Sequence, residues 1–446
     1  MEFSELFQGR RAVFSRNGKY LACICGDSVE IRYADTLLKA FKYECGDVVK
    51  SVQWSGDSVL LLCHTGLSRL KVFSIHSGSC VASLKQPIGN ISQILWAADF
   101  RTILFVEPLL FRVSVWKVYK QHGQQELEYV DNVQPWAKPG MALSPNGKHL
   151  AVVLCGIMKD NELCKEHASK STDSISFIST ISWRTESVIR CDDIERLGGM
   201  VWSPNSNFLV VWSSDPLDPV LVICIRSNSV IGKWQSTSKL WPGVRDVIFS
   251  PSAQFMTIVS KNSKIFVVNC LAWCEELELD HSSNITDRKC KVFREVPEFE
   301  EENSVFVEVI ERPVSISFLS SLSKTNKISN SIWSSGGRYL ASNLALAPAV
   351  VWIWSTAYSF SLCCVIVMKQ PVHDFQWDPV YNVLAVVDGQ DSVILWNASE
   401  EQLTSLSVCT PVSRMLFQAK HLSWRHDGSV LAVSSDQNST VLGVRS

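Results

Sequence analysis

Few residue groups in this 446-residue chain combine the types and spacing that metal binding or catalysis requires. Cys164 and His167 lie three positions apart and could supply two ligands to a metal ion. A tetrahedral zinc site needs four ligands, and no second pair follows nearby in the sequence. We therefore interpret this segment as a polar surface loop, and we expect neither a metal site nor a cofactor.

Two other residue pairs resemble parts of enzyme sites. Cys270 and Cys274 flank the end of an apolar strand, where packing in the core explains them. His373 and Asp374 look like half of a catalytic triad, but they directly precede Phe375–Trp377 and open a strand of the repeat described below. The nucleotide-binding, zinc-protease and serine-hydrolase motifs GxGxxG, GxxxxGK, HExxH and GxSxG do not occur. We predict no catalytic residues and no enzymatic activity.

An acidic run is the most distinctive polar feature of the sequence. Residues 295–302 read Glu-Val-Pro-Glu-Phe-Glu-Glu-Glu. A solvated loop tip would explain such a run without any function. Alternatively, the run contacts a basic segment of a partner, with Val296 and Phe299 as apolar anchors between the charges. The candidate partner-binding residues are Glu298, Phe299, Glu300, Glu301 and Glu302.

Composition and charge narrow the class of protein. The chain is 46% hydrophobic and only 19% charged, which excludes a disordered chain or a coiled coil. Its net charge of −2 disfavours a direct grip on nucleic acid through phosphates. Fifteen cysteines without a CxxC pair are typical of a reducing compartment. The N-terminus lacks signal-peptide features, and the longest apolar run, Leu362–Met368, is too short to span a membrane. We expect a cytoplasmic protein.

One sequence motif recurs nine times along the chain. Each copy has a large anchor residue, a polar turn such as Ser-Pro-Asn-Gly, and then an apolar segment such as Tyr-Leu-Ala. The nine anchors are Phe14, Trp54, Trp96, Leu143, Trp202, Phe249, Trp333, Trp377 and Trp424. Six of the eight spacings between them are 40 to 47 residues, and the other two are 59 and 84. This period is that of the WD repeat, in which each copy forms one four-stranded propeller blade.

The repeat predicts how each blade is built. The anchor ends an inner strand, the polar turn makes a hairpin, and the apolar segment starts the second strand. The large anchor fills the wedge between neighbouring blades, which gives the 16 tryptophans a structural role. The Trp-Asp that ends the third strand of a standard repeat is degenerate here. Its aspartate is replaced by Ala34, Ser74, Lys117, Ser355 and Asn397, so we expect packing to replace the buried Asp–His network.

The two long spacings predict insertions. Residues 159–172 form a polar loop between two strands of the fourth repeat. Residues 279–330 lie between the sixth and seventh anchors and contain the acidic run and a serine-rich end. Strand-like segments at Ser304–Val309 and Val314–Phe318 leave a tenth blade as the alternative. Because no anchor with a polar turn occurs there, we interpret the segment as an insertion.

Strand counting predicts how the last blade is completed. The final copy, residues 421–446, contains only three strands. Residues 3–7 precede the first anchor and have the length and polarity of the missing fourth strand. The predicted fold is therefore an all-β, WD-repeat-type β-propeller of about nine degenerate blades in one domain, residues 1–446. Pairing of the N-terminal strand with the last blade would close it into a single ring and remove exposed edges.

An ordered set of motifs resembles one particular WD-repeat family. These motifs are Met1–Phe7, Ser250–Phe255, Asn269–Trp273, Val351–Trp354 and Phe375–Pro379. They occur in the same order in the centrosomal and spindle-pole family that is encoded in vertebrates antisense to a tumour-suppressor gene. The long insertion falls where that family has one, and the resemblance extends over nearly the whole chain.

The resemblance implies a non-enzymatic scaffold of the cytoskeleton. Members of the family bind a coiled-coil anchoring protein at centrosomes or spindle poles, together with a minus-end-directed kinesin, and help to tether microtubule minus ends. Spindle assembly and cilium formation depend on that role. The alternatives are a translation-initiation propeller that binds ribosomal components and a propeller enzyme with a site in its central channel. The first would continue into a charged helical tail, whereas this chain stops at Ser446.

Overall fold

The architecture was analysed in a computed structural model of the chain. The structure describes residues 2–66, 69–85, 91, 93–107, 112–121, 124–133, 140–154, 172–236, 241–262, 264–297, 304–319, 330–357, 360–408 and 417–444. Throughout these ranges the regular structure is β-strand, and no α-helix occurs. Nine sheets of four or more strands form, one for each anchor, and we number them as blades 1 to 9 in the order of the anchors.

The first five blades contain strands β2 to β21, and strand β1 joins the sheet of the last blade. In chain order these strands are β1 (Phe7–Gln8); in blade 1, β2 (Arg10–Phe14), β3 (Tyr20–Cys25), β4 (Ser28–Tyr33) and β5 (Lys39–Glu44); in blade 2, β6 (Val49–Trp54), β7 (Leu60–Thr65), β8 (Arg69–Ser74) and β9 (Ser79–Lys85); in blade 3, β10 (Gln93–Trp96), β11 (Thr102–Glu107), β12 (Arg112–Gln121) and β13 (Gln124–Val133); in blade 4, β14 (Met141–Leu143), β15 (His149–Leu154), β16 (Ser174–Ser179) and β17 (Thr185–Arg190); and in blade 5, β18 (Leu197–Trp202), β19 (Phe208–Ser213), β20 (Val220–Cys224) and β21 (Ser229–Trp234).

The remaining strands form blades 6 to 9 and the insertion. They are, in blade 6, β22 (Val244–Phe249), β23 (Phe255–Ser260), β24 (Ile265–Asn269) and β25 (Cys274–Glu278); in the insertion, β26 (Asn284–Ile285), β27 (Lys291–Pro297), β28 (Ser304–Glu308) and β29 (Val314–Ser315); in blade 7, β30 (Asn330–Trp333), β31 (Tyr339–Leu344), β32 (Ala347–Ser355) and β33 (Ser361–Val367); in blade 8, β34 (Asp374–Trp377), β35 (Val383–Val387), β36 (Ser392–Asn397) and β37 (Gln402–Ser407); and in blade 9, β38 (His421–Trp424), β39 (Val430–Ser434) and β40 (Asn438–Gly443).

The chain divides into two compact units. The first unit comprises Met1–Gly66, Phe73–Ser79 and Leu279–Ser446, and the second comprises Leu67–Val72 and Cys80–Glu278. In the first unit, apolar clusters join blade 7 to blade 8, blade 8 to blade 9, blade 9 to blade 1, and blade 1 to residues of blade 2. In the second unit, similar clusters join blade 3 to 4, 4 to 5, and 5 to 6. Burial between consecutive blades is therefore the basis of each unit.

A buried serine after the anchor fixes the predicted hairpin turn. In blade 1, Ser15 is 1% exposed, and its Oγ accepts a hydrogen bond from the backbone N–H of Tyr20 at 3.0 Å. The same bond, with the residue five positions on as donor, occurs at Ser55, Ser144, Ser203, Ser250 and Ser334. The turn also needs one residue with positive φ, as at Gly428 (φ 70°). A Cβ there would lie 2.3 Å from Asp378 Oδ1 of blade 8, so glycine is required.

The anchor tryptophans connect successive blades by a repeated hydrogen bond. The indole N–H donates to the carbonyl oxygen of the residue just before the anchor of the previous blade. The pairs are Trp54 with Val13 (3.1 Å), Trp202 with Ala142 (3.0 Å), Trp377 with Ile332 (3.0 Å) and Trp424 with Gln376 (3.3 Å). The predicted wedge residue thus also satisfies a backbone carbonyl, which fixes the register between the two blades.

The insertion between the sixth and seventh anchors extends blade 7. Strand β27 pairs in parallel with β33, and β28 pairs antiparallel with β27, so blade 7 has six strands in the order β28-β27-β33-β32-β31-β30. In the described part of the insertion, β26 and β29 form a separate two-stranded sheet, and no tenth four-stranded blade occurs. The segment expected at Val314–Phe318 is a strand only over Val314–Ser315. Of the expected 159–172 loop, only residue 172 is among the described residues.

The N-terminal segment completes blade 9. Strand β1 pairs antiparallel with β40, with Phe7 opposite Ser439 and Gln8 opposite Asn438, and Phe3 forms a bridge to Leu442. Between Phe3 and Phe7 the pairing with β40 is irregular, because the Val441 N–H donates to the side-chain Oγ of Ser4 at 3.0 Å. The regular strand is therefore shorter than residues 3–7. The division of the chain into domains and loops stays a prediction.

Removing the indole donor of an anchor should loosen the stacking of blades. We expect Trp202→Phe and Trp377→Phe each to lower the free energy of unfolding by about 1 kcal/mol more than Trp333→Phe, the typical net value of a hydrogen bond. Trp333 is the control, since it is a buried anchor whose indole nitrogen has no partner among the described residues. Calorimetric melting of the three variants measures the effect. Equal losses in all three would contradict the proposed role of the bond.

Candidate interaction surface

The hairpin of β27 and β28 is the candidate surface, because the acidic run connects its two strands. Arg294 lies opposite Val307, Glu295 opposite Phe306, and Val296 opposite Val305. One face of the hairpin packs inward, where Phe293 belongs to the core shared by blades 7 and 8 and Phe306 packs against it. The other face carries Val305 and Val307, which are 41% and 47% exposed.

The five predicted partner-binding residues, Glu298, Phe299, Glu300, Glu301 and Glu302, lie outside the described residues. The beginning of the acidic run is described, and it differs from a solvated loop. Glu295 is only 7% exposed, and its Oε2 accepts a hydrogen bond of 2.7 Å from the backbone N–H of Lys369. The first glutamate of the run is thus a buried structural group, and Val296 beside it is half-buried.

A second buried carboxylate lies near Glu295. Asp388, in the turn after β35, is 5% exposed, and its Oδ1 accepts from the Gln390 N–H at 3.1 Å. Burial is the main cause that raises the pKa of Asp388 to about 6, and the negative charge of Glu295 contributes in the same direction. Two carboxylates, Glu295 and Asp388, are therefore buried near the base of the hairpin.

A series of hydrogen bonds that the sequence did not predict fixes the start of the insertion to blade 7. His281 Nε2 lies 2.9 Å from Ser342 Oγ, which also accepts from the Trp354 indole N–H at 3.0 Å. On its other side, His281 Nδ1 lies 3.0 Å from the carbonyl oxygen of Leu279, so Nδ1 carries the proton and Ser342 donates to Nε2. Both Trp352 and Trp354 contact the imidazole edge-to-face. Blade 7 thus contains a partly buried histidine network. In it a backbone carbonyl takes the place of the aspartate that accepts from the histidine in a standard repeat.

The enzyme-like pairs have structural roles where they are described. Asp374 Oδ2 accepts from the Leu422 N–H of blade 9 at 2.9 Å, which makes it a contact between blades. Cys270 is buried, and burial raises the pKa of its thiol to about 12, whereas Cys274 is exposed. Cys164 and His167 lie outside the described residues.

The described residues contain neither a metal-binding cluster nor a membrane-spanning helix. Within those ranges, no three His, Cys, Asp or Glu side chains come together in a group that could hold a metal ion. Nor does any helix within them have the length and apolar character needed to cross a bilayer.

Comparison of sequences finds a relative that matches over nearly the whole chain. The chain is 26% identical to the mouse protein described as WD repeat-containing protein WRAP73, over 469 aligned positions that cover 98% of this chain and 94% of the relative. No family model matches the sequence.

Solved structures share the fold at low sequence identity. The crystal structure of a eukaryotic initiation factor has a TM-score of 0.58 at 12% identity, over 90% of this chain and 87% of that chain. The C-terminal WD40 domain of Sif2 has a TM-score of 0.51 at 9% identity, over 100% and 99% of the two chains. The Dos1 propeller has a TM-score of 0.50 at 10% identity, over 99% and 95%. The predictions of a WD-repeat protein and of an all-β propeller fold are confirmed.

The buried network of blade 7 predicts a measurable dependence of stability on pH. Burial lowers the pKa of His281 to about 4, so the unfolded chain binds a proton on this residue between pH 6.5 and 4 and the folded chain does not. Stability from this group is therefore present at neutral pH and is lost on acidification. Asp388 acts in the opposite direction, since its raised pKa favours the folded state as the pH falls.

The histidine contribution can be isolated with His281→Gln. Between pH 7 and pH 5 we expect the unfolding free energy of the natural protein to fall by about 2 kcal/mol more than that of the variant, from the two pKa values of His281. Denaturant unfolding at both pH values measures the difference, and Asp388→Asn serves as a control with the opposite sign. Identical pH dependence of the natural protein and His281→Gln would contradict the assignment.

Proposed function

We propose that this WD-repeat protein is a non-enzymatic scaffold that acts at the centrosome or spindle pole. The observation that carries the proposal is the similarity to WRAP73 over 98% of the chain, together with the ordered motifs that resemble the centrosomal and spindle-pole family. In this role the protein binds a coiled-coil anchoring partner, acts with a minus-end-directed kinesin, and helps to tether microtubule minus ends. Spindle assembly and cilium formation depend on that anchoring.

The hairpin of blade 7 supports an interaction role. Glu295 and Phe306 fix its inner face, while Val305 and Val307 leave its outer face available to a partner. Glu298, Phe299, Glu300, Glu301 and Glu302 connect its strands, and we propose that they contact a basic segment of the partner. The likeness to the structure of a eukaryotic initiation factor, at 12% identity, supports a common fold and not a ribosomal role.

Localisation in dividing cells tests the proposed function. A fluorescently tagged copy expressed at the natural level should concentrate at spindle poles, and its purification should recover a coiled-coil pole protein. A uniform cytoplasmic signal through mitosis would contradict the proposal. Recovery of ribosomal initiation components without pole proteins would favour the alternative function.

The same purification tests the acidic run. Replacing Glu298, Glu300, Glu301 and Glu302 by alanine should leave the melting temperature unchanged. We expect the side chains of such a charged run to lie in solvent, where substitutions usually alter stability by less than about 0.5 kcal/mol. Recovery of the partner should fall, most strongly at low salt. The matched control replaces four exposed glutamates elsewhere: Glu195, Glu275, Glu276 and Glu400. Equal recovery with both variants would show that the run has no part in binding.

A further inference from the structure

We propose that the outer edge of β28 binds an extended, basic segment of a partner protein as an added β-strand. The proposal deepens the proposed function, on which it rests in one respect: a partner protein binds the hairpin of blade 7. The added strand comes from a part of that partner outside its coiled coil. Three features of β28 favour such a partner: its open edge, its exposed side chains and the charge around it.

Strand β28 is the terminal strand of the six-stranded sheet, and in the described residues no strand pairs with its outer side. The backbone N–H of Val309 donates to the Val292 carbonyl oxygen at 2.8 Å, which fixes the alternation of hydrogen bonds along the hairpin. In an antiparallel pair, every second residue points its N–H and C=O away from the partner strand. In β28 these residues are Ser304, Phe306 and Glu308, whose backbone groups face the open side.

The side chains of β28 hold the strand in place and leave its other face open. Phe306 packs against the core shared by blades 7 and 8, so the strand is fixed before any partner binds. Val305 and Val307 point to the opposite face and are 41% and 47% exposed, and Ile310 just beyond is 84% exposed. Natural edge strands are usually protected by lysine, proline or a covering segment. Between Ser304 and Glu308 the chain has none of these residues, and its single charge is Glu308.

The negative charge of the hairpin favours a basic segment at the edge of β28. Residues 291–308 contain six glutamates against Lys291 and Arg294. Of the six, Glu295 is buried, Glu308 is exposed on the strand, and the other four lie between the two strands in the sequence, outside the described residues. The Arg294 guanidinium donates to the Ser315 carbonyl oxygen at 2.9 Å, and the Lys291 ammonium forms an ion pair with Glu401 at 3.1 Å. A second copy of this chain would bring two acidic hairpins together, which like-charge repulsion disfavours. A segment that alternates apolar and basic residues matches both the valines and the glutamates.

Binding of a synthetic strand to the purified full-length chain tests the proposal. The probe is a fluorescent peptide of about ten residues that alternates lysine and valine, the length of a long strand. Two control peptides replace its lysines by glutamate or carry N-methyl groups on alternate residues, which removes one row of backbone donors. Val307→Lys is the test variant, and Val380→Lys is the matched control, because Val380 is 52% exposed on a turn of blade 8.

We expect the lysine–valine peptide to bind the natural chain and Val380→Lys within about twofold of each other, and Val307→Lys at least about tenfold more weakly. Both control peptides should lose binding, and bound peptide should slow hydrogen exchange of residues 304–308. Melting curves must be equal for the two variants. If Val307→Lys melts at a lower temperature than Val380→Lys, Val305→Lys replaces it as the test variant. The N-methylated peptide, which needs no change in the protein, then tests the backbone pairing.

Three results would overturn the proposal. The first is equal binding of the peptide to Val307→Lys and Val380→Lys, and the second is unchanged exchange of residues 304–308 on binding. The third is a dimer of the natural chain in sedimentation that Val307→Lys dissociates, since a second copy would then occupy the edge. Because the measurement uses purified protein, its failure is distinct from failure to localise at spindle poles.

Discussion

The structure depends on one constraint: a four-stranded blade cannot bury both of its faces by itself. Central strands such as β7 and β11 are buried at all positions, so both of their faces must be covered. Only a neighbouring blade can cover such faces, so stability arises from contacts between repeats as much as from the repeats themselves. The anchor residue carries this contact, because its side chain fills the wedge and, in blades 2, 5, 8 and 9, its indole N–H donates to a carbonyl oxygen of the blade before.

The same constraint explains where the repeat could change and where it could not. Where a serine follows the anchor, it is buried and accepts a backbone hydrogen bond, and the anchor indoles of blades 2, 5, 8 and 9 donate to a carbonyl oxygen of another blade. These residues recur although the Trp-Asp ending of the third strand is degenerate. The outer edge of a blade does not take part in these contacts, and in blade 7 the additional strands β27 and β28 lie at that edge. The added hairpin is held through Phe293, Phe306 and Glu295, which leaves its other face and its edge available for binding.

Periodicity predicted most of the fold, whereas the hairpin and the histidine network depend on contacts that a period does not encode. The anchor spacing and the polar turns predicted the positions of the inner strands, since each turn is determined by a few consecutive residues. The pairing of β27 with β33 joins residues about seventy positions apart, and no local pattern specifies it. His281 was missed because the insertion separates it from Ser342 and Trp354, although the serine in the second strand was a usable signal. The acidic run was recognised as distinctive, but the burial of Glu295 could not be read from its neighbours.

The central claim is that the faces and edges of a blade are covered by chain from outside that blade, and the N-terminal segment, which pairs with the edge of blade 9, is its most direct test. Phe7 is buried in the cluster shared by blades 9 and 1, and Ser4 and Gly9 bond to β40 and to the turn that precedes it. Thermal unfolding of a variant that lacks residues 2–8 should begin several degrees lower than that of the natural chain, with loss of solubility as the edge of β40 is exposed. An unchanged melting temperature and solubility would contradict the account.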